Sequence, residues 1–198
     1  MSYGTALYLI RNYKYMLPSG NTKAVIFDRD GVLNKLVWHE VKQAFTAPWT
    51  LDEFEIMSES RQQVQRCRKA GFLGLCVTNQ PDVYDHHLHM CDLFAMTLRI
   101  YDLGIVDVRS ALERDTKYYK PNNGIVEDFI CDYSIARQSS YIVGDSWKDI
   151  VCGHRSQLKT IYIGNQYEVP PRHDHIVPDF IVPNLARACD IICGESND

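Results

Sequence analysis

Two aspartates, Asp28 and Asp30, stand one residue apart at the end of an apolar run. The run, residues 25–27, predicts a buried strand that ends at Asp28, which is where open α/β sheets bind their ligands. Residues i and i+2 of an extended chain point the same way, so both carboxylates are expected in one pocket, where they repel each other unless a cation or a proton intervenes. Gly31 lets the backbone turn away directly afterwards. The same string also fits a strand followed by an Asp-rich turn without any chemistry.

Polar side chains also stand at the ends of other predicted elements. Thr78 and Asp145 each end an apolar run, Asp149 lies in the short helix after Asp145, and Lys120 stands in the loop before another predicted helix. The carboxyl ends of parallel strands meet along one edge of a sheet, so these groups are expected to converge there. Their combination is more informative than any one of them alone.

Strands and helices alternate along the rest of the chain. Strands are predicted at residues 23–28, 72–77, 105–108, 141–145, 160–164 and 179–182. Helices are predicted at residues 60–70, 86–103, 125–136, 146–155 and 184–193. This alternation predicts an α/β fold, a Rossmann-like doubly wound parallel sheet with helices on both faces. Residues 1–22 are predicted to form an N-terminal arm and residues 23–198 a single domain.

Three local predictions rest on particular residues. Ser60, with Gln63 three positions later, predicts a capping box that begins the first helix. Residues 35–57 are irregular and predict a substrate-side loop or a short hairpin. The second helix is predicted to bury an apolar face formed by Met90, Leu93, Phe94, Thr97, Leu98 and Tyr101.

Length and composition limit the class of protein. The 198 residues include 45% hydrophobic side chains and carry a formal net charge of −4. These values fit one sizeable globular domain and argue against a general nucleic-acid binder with a basic face. Seven scattered cysteines, without a CxxC pair, indicate reduced thiols rather than a disulfide framework. There is no apolar stretch of transmembrane length and no signal-peptide pattern, so we expect a cytoplasmic protein.

Four strings in this order resemble the motifs of the haloacid-dehalogenase-like (HAD-like) phosphohydrolase superfamily, and they span most of the chain. The first string is Asp28-Arg29-Asp30-Gly31-Val32-Leu33-Asn34. The second, an apolar run that ends in Thr, is Leu75-Cys76-Val77-Thr78-Asn79-Gln80. The third is Lys120-Pro121, and the fourth, a Gly-Asp-x-x-x-Asp pattern, is Gly144-Asp145-Ser146-Trp147-Lys148-Asp149. The first and fourth strings together are specific to the superfamily.

The resemblance implies four catalytic residues. Asp28 would be the nucleophile that attacks phosphorus to give an aspartyl phosphate. Asp30 would protonate the leaving alcohol and then activate water for the second step. Thr78 and Lys120 would bind the remaining phosphate oxygens and stabilise charge in the transition state.

The resemblance also implies a Mg²⁺ site. The ion would be held by Asp28, the main-chain carbonyl of Asp30 and Asp145. A few oxygen ligands completed by water and a phosphate oxygen suit this hard ion. Asp149 would ligate a metal-bound water or hold Lys120.

Within the superfamily, the strings look like the small, capless branch of heptose-bisphosphate and histidinol-phosphate phosphatases. The short spacing between them leaves no room for an independent cap domain. Residues 109–119 contain no cysteine or histidine, so the zinc loop typical of that branch is not expected. Tyr119 stands where these enzymes often carry Arg. The candidates for substrate binding are Asn79, Gln80, Arg109 and Tyr119, although Arg109, like Arg114 and Lys117, also fits an ordinary solvated charge.

We therefore expect a Mg²⁺-dependent phosphomonoesterase that acts on a small phosphorylated metabolite, with a sugar phosphate of the heptose-bisphosphate type as the first candidate. Three alternatives stay open, a histidinol-phosphate phosphatase, a polynucleotide 3′-phosphatase and a non-catalytic binding protein that kept the fold. Neither a membrane nor a nucleic acid is expected as a partner, and a monomer and a homodimer both stay open. No metal site is assigned to His86, His87 and His89, whose spacing does not match known zinc sites.

Overall fold

The computed structural model describes residues 21–164 and 176–194, so the predicted N-terminal arm lies almost wholly outside the described residues. At the centre is a six-stranded sheet in which all neighbouring strands run parallel. Its strands are β1 (Ala24–Phe27), β4 (Leu73–Asn79), β5 (Asp107–Ala111), β6 (Tyr141–Gly144), β7 (Lys159–Ile163) and β8 (Phe180–Val182). An antiparallel hairpin follows β1 and consists of β2 (Val37–His39) and β3 (Ala44–Thr46).

The strand order across the sheet is β5-β4-β1-β6-β7-β8. From β1 the chain first moves outward to β4 and β5, and it then returns to the other side of β1 to form β6, β7 and β8. This reversal creates a crevice at the carboxyl ends of β1 and β6, where doubly wound sheets bind ligands.

Helices cover both faces of the sheet. On one face lie α1 (Ser60–Lys69), α2 (Met90–Tyr101) and α5 (Leu185–Cys193), and on the other lie α3 (Gly124–Tyr133) and α4 (Trp147–Arg155). Strand β1 shows the pattern that this requires, since Val25 and Phe27 pack into one layer and Ala24 and Ile26 into the other, all four fully buried. The predicted α/β fold is confirmed.

The predicted capping box at the start of α1 is wrong. The N-cap residue is Glu59, and no side chain caps the helix. Ser60 is fully buried and donates its hydroxyl to the main-chain oxygen of Leu33 at 2.8 Å. The hydroxyl therefore ties α1 to the loop after β1 instead of capping its own helix.

Helix α2 begins four residues later than predicted, and it buries a different face. Its buried side chains are Leu93, Met96 and Ile100. Between 43% and 50% of the surface is exposed in Met90, Phe94 and Leu98. Two apolar stripes lie side by side on this helix with the same spacing, and periodicity alone does not say which one faces the sheet.

All seven cysteines are free thiols, and four of them, Cys67, Cys76, Cys152 and Cys189, are buried. The Sγ atoms of Cys67 and Cys189 lie 3.4 Å apart, as a hydrogen-bonded pair between α1 and α5. Across residues 21–164 and 176–194, no helix combines the length and the apolar content needed to cross a bilayer.

Candidate active site

Three carboxylates converge at the carboxyl edge of the sheet. Asp28 follows β1, Asp145 follows β6, and Asp149 lies in the first turn of α4. One oxygen from each carboxylate lies within 4.8 Å of the other two. Strands β1 and β6 are hydrogen-bonded neighbours, which explains why residues so distant in sequence meet here. We refer to these three residues as the acidic trio.

Lys120 places an ammonium group against the acidic trio. Its Nζ lies 2.8 Å from Asp28 Oδ1 and 2.6 Å from Asp149 Oδ1. It also donates to the main-chain oxygen of Val77 at 3.2 Å. Burial by itself lowers the pKa of an ammonium group, but the two carboxylates outweigh burial and hold the pKa of Lys120 above its usual range.

The carboxylates of this cluster repel one another. Burial raises the pKa of Asp28 to about 7, Asp149 adds to the rise, and Lys120 opposes it. Lys120 contacts two of the three carboxylates, Asp28 and Asp149, and a bound cation would relieve the repulsion that remains. Carboxylate oxygens are the ligands that Mg²⁺ prefers in proteins. The acidic trio therefore fits a hard divalent cation.

The carboxylate of Asp30 lies in a different environment. It accepts hydrogen bonds of 2.7–3.2 Å from the side chains of Arg29, Asn34, Thr78 and Gln80. Arg29 and Gln80 are fully buried, and so is Asn34. These donors fix the orientation of the Asp30 carboxylate before any ligand arrives.

Two glycines make room for the acidic trio. A Cβ at Gly31 would lie 1.8 Å from Asp145 Oδ2, and the φ of Gly31 is +83°, a value that L-residues rarely adopt. A Cβ at Gly144 would lie 2.2 Å from the Cβ of Asp149. Both distances are far shorter than real contacts between such atoms, so a side chain at either glycine would displace a carboxylate of the trio.

The acidic trio opens into a cleft of about 370 Å³ beside the β2–β3 hairpin. Lys42, Phe45 and Thr46 of the hairpin line this cleft, together with Tyr119 from the loop after β5. Lys42 forms a 2.5 Å ion pair with Asp82, which follows β4. Within the described residues, the hairpin is the element that takes the place of a cap, which agrees with the predicted capless or minimal-cap architecture.

A stack of three rings anchors the hairpin. The ring centroids of His39 and Trp49 are 3.7 Å apart, and those of Trp49 and His87 are 4.4 Å apart. His39 also forms a hydrogen bond of 3.1 Å with the main-chain oxygen of Ala47. The stack therefore joins β2 and the turn after β3 to the segment that follows β4.

Comparison with known proteins gives a consistent result. A family model described as HAD-hydrolase-like matches residues 118–188. The D-glycero-D-manno-heptose-1,7-bisphosphate 7-phosphatase of Chlorobaculum tepidum is 25% identical over 191 residues, which cover 85% of this chain and 92% of that protein. The D-glycero-alpha-D-manno-heptose-1,7-bisphosphate 7-phosphatase of Photorhabdus laumondii is 26% identical over 157 residues, which cover 71% and 81%.

A solved structure shares the fold. The D,D-heptose 1,7-bisphosphate phosphatase of B. bronchiseptica, complexed with magnesium and phosphate, superimposes with a TM-score of 0.74 and 18% identity. The match covers 88% of this chain and 100% of that one. The family model and the curated relatives both point to the HAD-like superfamily. The relatives of this chain include the heptose-bisphosphate phosphatases, so the predicted superfamily and branch are confirmed.

Two of the predicted substrate-binding residues hold other residues of the site. Asn79 donates to the main-chain oxygen of Lys120 at 3.0 Å and accepts from its main-chain nitrogen at 2.9 Å. Gln80 donates to both Asp30 and Thr78 at 2.7 Å. The contacts and full burial of Gln80 favour a positioning role for it. Asn79 also lines the cleft, so its predicted contact with substrate stays a prediction.

Arg109 is not among the described residues that line the cleft. Its guanidinium pairs with Asp107 at 2.9 Å and with Asp132 at 2.8 Å, and it lies 4.4 Å from the ring centroid of Phe129. Its partners belong to β5 and α3. These contacts argue against the predicted substrate-binding role of Arg109, whereas Tyr119 does line the cleft.

Two lysines of the cleft were not among the predicted site residues. Lys148 lines the cleft and places its Nζ 5.9 Å from the ring centroid of Tyr119. Its position between Asp145 and Asp149 in the fourth motif was a usable signal. Lys42 had no such signal, because its approach to the cleft depends on how the β2–β3 hairpin folds back.

Proposed function

We propose that the protein is a Mg²⁺-dependent phosphomonoesterase that acts in the cytoplasm on a small phosphorylated sugar. A heptose bisphosphate is the first substrate to test, because the relatives named above are heptose-bisphosphate phosphatases. The observation that carries the proposal is the geometry around Asp28. One buried lysine and two further carboxylates lie close to this residue. The carboxylate of Asp30, which accepts hydrogen bonds from several side chains, lies at the same cleft.

Asp28, Asp145 and the main-chain oxygen of Asp30 would hold Mg²⁺, with Asp149 fixing Lys120 beside them. Bound Mg²⁺ would reduce the repulsion between these carboxylates and an incoming phosphate dianion. The close approach of the three carboxylates to one another supports this assignment.

Asp28 would supply the nucleophile. Its Oδ1 accepts from the main-chain nitrogen of Arg29 at 2.7 Å and from Lys120 at 2.8 Å, whereas Oδ2 forms no hydrogen bond with the described residues. Oδ2 would therefore be the oxygen that attacks phosphorus. A bond forms between this oxygen and phosphorus, and the bond to the ester oxygen breaks with its electron pair going to that oxygen.

Asp30 would carry the proton in both steps. In the first step it transfers a proton to the leaving ester oxygen. In the second step it takes a proton from the water whose oxygen attacks the aspartyl phosphate, and the carboxylate of Asp28 is released with its electron pair. Thr78 and Lys120 would donate to the phosphate oxygens while charge develops on them.

Release of inorganic phosphate tests the proposal. The panel contains heptose and other sugar phosphates, histidinol phosphate, nucleotides and 3′-phosphorylated DNA, each with Mg²⁺ or with a chelator. We expect release that requires Mg²⁺, is strongest with a sugar phosphate and is lost in Asp28→Asn. Asp52→Asn is the matched control, because Asp52 is exposed in the turn before α1, and it should retain full activity.

The same panel separates the alternatives. If 3′-phosphorylated DNA is the best substrate, the protein is a polynucleotide 3′-phosphatase. If histidinol phosphate is the best substrate, the protein is a histidinol-phosphate phosphatase. Release that persists in Asp28→Asn would contradict the proposed nucleophile. An absence of release from every substrate would favour a binding protein that kept the fold.

A further inference from the structure

We infer that Gln80 is a positioning residue for proton transfer by Asp30. The inference rests on the proposed function and extends it to a residue behind the cleft surface. Gln80 is fully buried, so it acts on the reaction through Asp30 and Thr78 and not by touching the substrate.

The side-chain nitrogen of Gln80 completes a triangle with two groups of the site. Nε2 lies 2.7 Å from Asp30 Oδ2 and 2.7 Å from Thr78 Oγ1, and Thr78 Oγ1 lies 3.2 Å from Asp30 Oδ2. An amide nitrogen carries two hydrogens, and each of them has one acceptor here. Gln80 therefore fixes the proton-transferring carboxylate and the phosphate-binding hydroxyl relative to each other.

The orientation of the amide follows from its neighbours. The opposite orientation would place the amide oxygen 2.7 Å from a carboxylate oxygen, and two acceptors at that distance repel each other. In the orientation described, Oε1 is buried and has no hydrogen-bond partner among the described residues. An unpaired buried oxygen lowers stability. The contribution of Gln80 at this position therefore comes from the two hydrogen bonds that its amide donates.

The bond from Gln80 governs one oxygen of Asp30 in particular. Arg29 Nη2 and Asn34 hold Oδ1 at 2.9 and 3.0 Å. Among the contacts of Oδ2, the bond from Gln80 is the shortest. When Thr78 turns its hydroxyl hydrogen toward a phosphate oxygen, Gln80 continues to hold Oδ2 in place.

A positioning role of this kind predicts a dependence on the leaving group. An alkoxide leaving from a sugar phosphate is a strong base and needs the proton of Asp30. The p-nitrophenolate ion is a weak base and leaves without one. Disturbing Asp30 should therefore slow the release of a sugar much more than the release of p-nitrophenol, a pattern that loss of phosphate binding or of folding does not produce.

The test compares kcat/KM of Gln80→Met for the best sugar phosphate and for p-nitrophenyl phosphate, because kcat/KM covers the steps up to release of the first product. Methionine is similar in size and removes the two donors without removing another hydrogen bond. We expect a decrease of about 10- to 100-fold with the sugar phosphate and of less than about threefold with p-nitrophenyl phosphate. A burst of p-nitrophenol should appear as well, because hydrolysis of the aspartyl phosphate also uses Asp30.

Gln63→Met is the matched control, since Gln63 is a buried glutamine on α1, away from the cleft. It should change neither value. If Gln80→Met does not fold, Gln80→Glu makes the same test by placing an acceptor against Asp30. Equal losses with both substrates, or no loss with either, would overturn the role of Gln80. A wild-type protein that hydrolyses no phosphate ester would overturn the proposed function instead, so the two failures are distinguishable.

Discussion

The two halves of the cleft arrange their carboxylates in opposite ways. Asp30 is surrounded by donors from four side chains, two of which bond to it at 2.9 Å or less. Within the acidic trio, Asp28 and Asp149 share the ammonium group of Lys120. The Asp30 half thus holds its carboxylate with donors of the protein, whereas the other half brings three carboxylates together. In the proposed mechanism, the protein supplies the geometry for proton transfer, and a cation offsets the repulsion within the trio.

The largest expected effect separates the nucleophile from the proton-transferring group. Asp28→Asn removes the attacking oxygen, and we expect activity to fall by at least about 10⁴-fold, with no phosphoenzyme detectable by intact mass spectrometry. Asp30→Asn keeps the nucleophile and should lose about 10²- to 10⁴-fold. With p-nitrophenyl phosphate, Asp30→Asn should accumulate one phosphate per chain. A phosphoenzyme in Asp28→Asn would show that the two roles are assigned wrongly.

The second effect concerns the positive charge beside the trio. Lys120→Met leaves Asp28 and Asp149 without their shared partner, and the free energy of unfolding in chelator should fall by about 3–5 kcal/mol. Urea denaturation measures this, and added Mg²⁺ should restore part of the loss. Lys35→Met is the control, because the pair of Lys35 with Glu55 is exposed, and it should cost less than about 1 kcal/mol. Equal losses in the two variants would mean that burial of the trio is unimportant.

The third effect tests which half binds the cation. Asp145→Asn removes one carboxylate of the trio, and the Mg²⁺ dissociation constant measured by calorimetry should rise by about 10- to 100-fold. Asp30→Asn should leave that constant nearly unchanged, because the proposed ligand there is the main-chain oxygen. If Asp30→Asn weakens Mg²⁺ binding as much as Asp145→Asn does, the division of the cleft into two halves is wrong.

The smallest effect is a pH dependence of stability without metal. The pKa of Asp28 is raised to about 7 by burial, above the usual value of about 3.9 expected in the unfolded chain. Between these values the folded protein binds more protons than the unfolded chain, so stability falls as pH rises from about 4 to about 7. The free energy of unfolding in chelator should decline less in Asp28→Asn than in the wild type. Parallel curves would show that Asp28 is already ionised at low pH.

The convergence of polar side chains at the carboxyl edge of the sheet was predictable from sequence, because these residues stand where predicted strands end. Asp28, Thr78 and Asp145 stand at the end of an apolar run, and a parallel sheet places those ends together. Arg109 also belongs to a strand, but its side chain is held by Asp107 on the same strand and by Asp132 on helix α3. No local pattern encodes such a partner.

The errors in α1 and α2 have the same origin. Serine is a residue type that often caps helices, yet the hydroxyl of Ser60 donates to the main-chain oxygen of Leu33 in a distant loop. Helix α2 offers two apolar stripes, and packing on the sheet selects the one with Met96 and Ile100. Local pattern located these helices, whereas contacts between elements decided the roles of their side chains.

The spaces left by Gly31 and Gly144 have a consequence for how new specificities can arise in this scaffold. Because carboxylates of the trio fill the volume beside both glycines, the floor of the cleft tolerates no gradual remodelling there. The hairpin is different, since its cleft-lining residues lie outside the acidic trio and stacked rings hold it in place. Directed evolution toward another phosphate ester is therefore best aimed at Lys42, Phe45 and Thr46, which line the cleft and belong neither to the ring stack nor to the proposed catalytic residues.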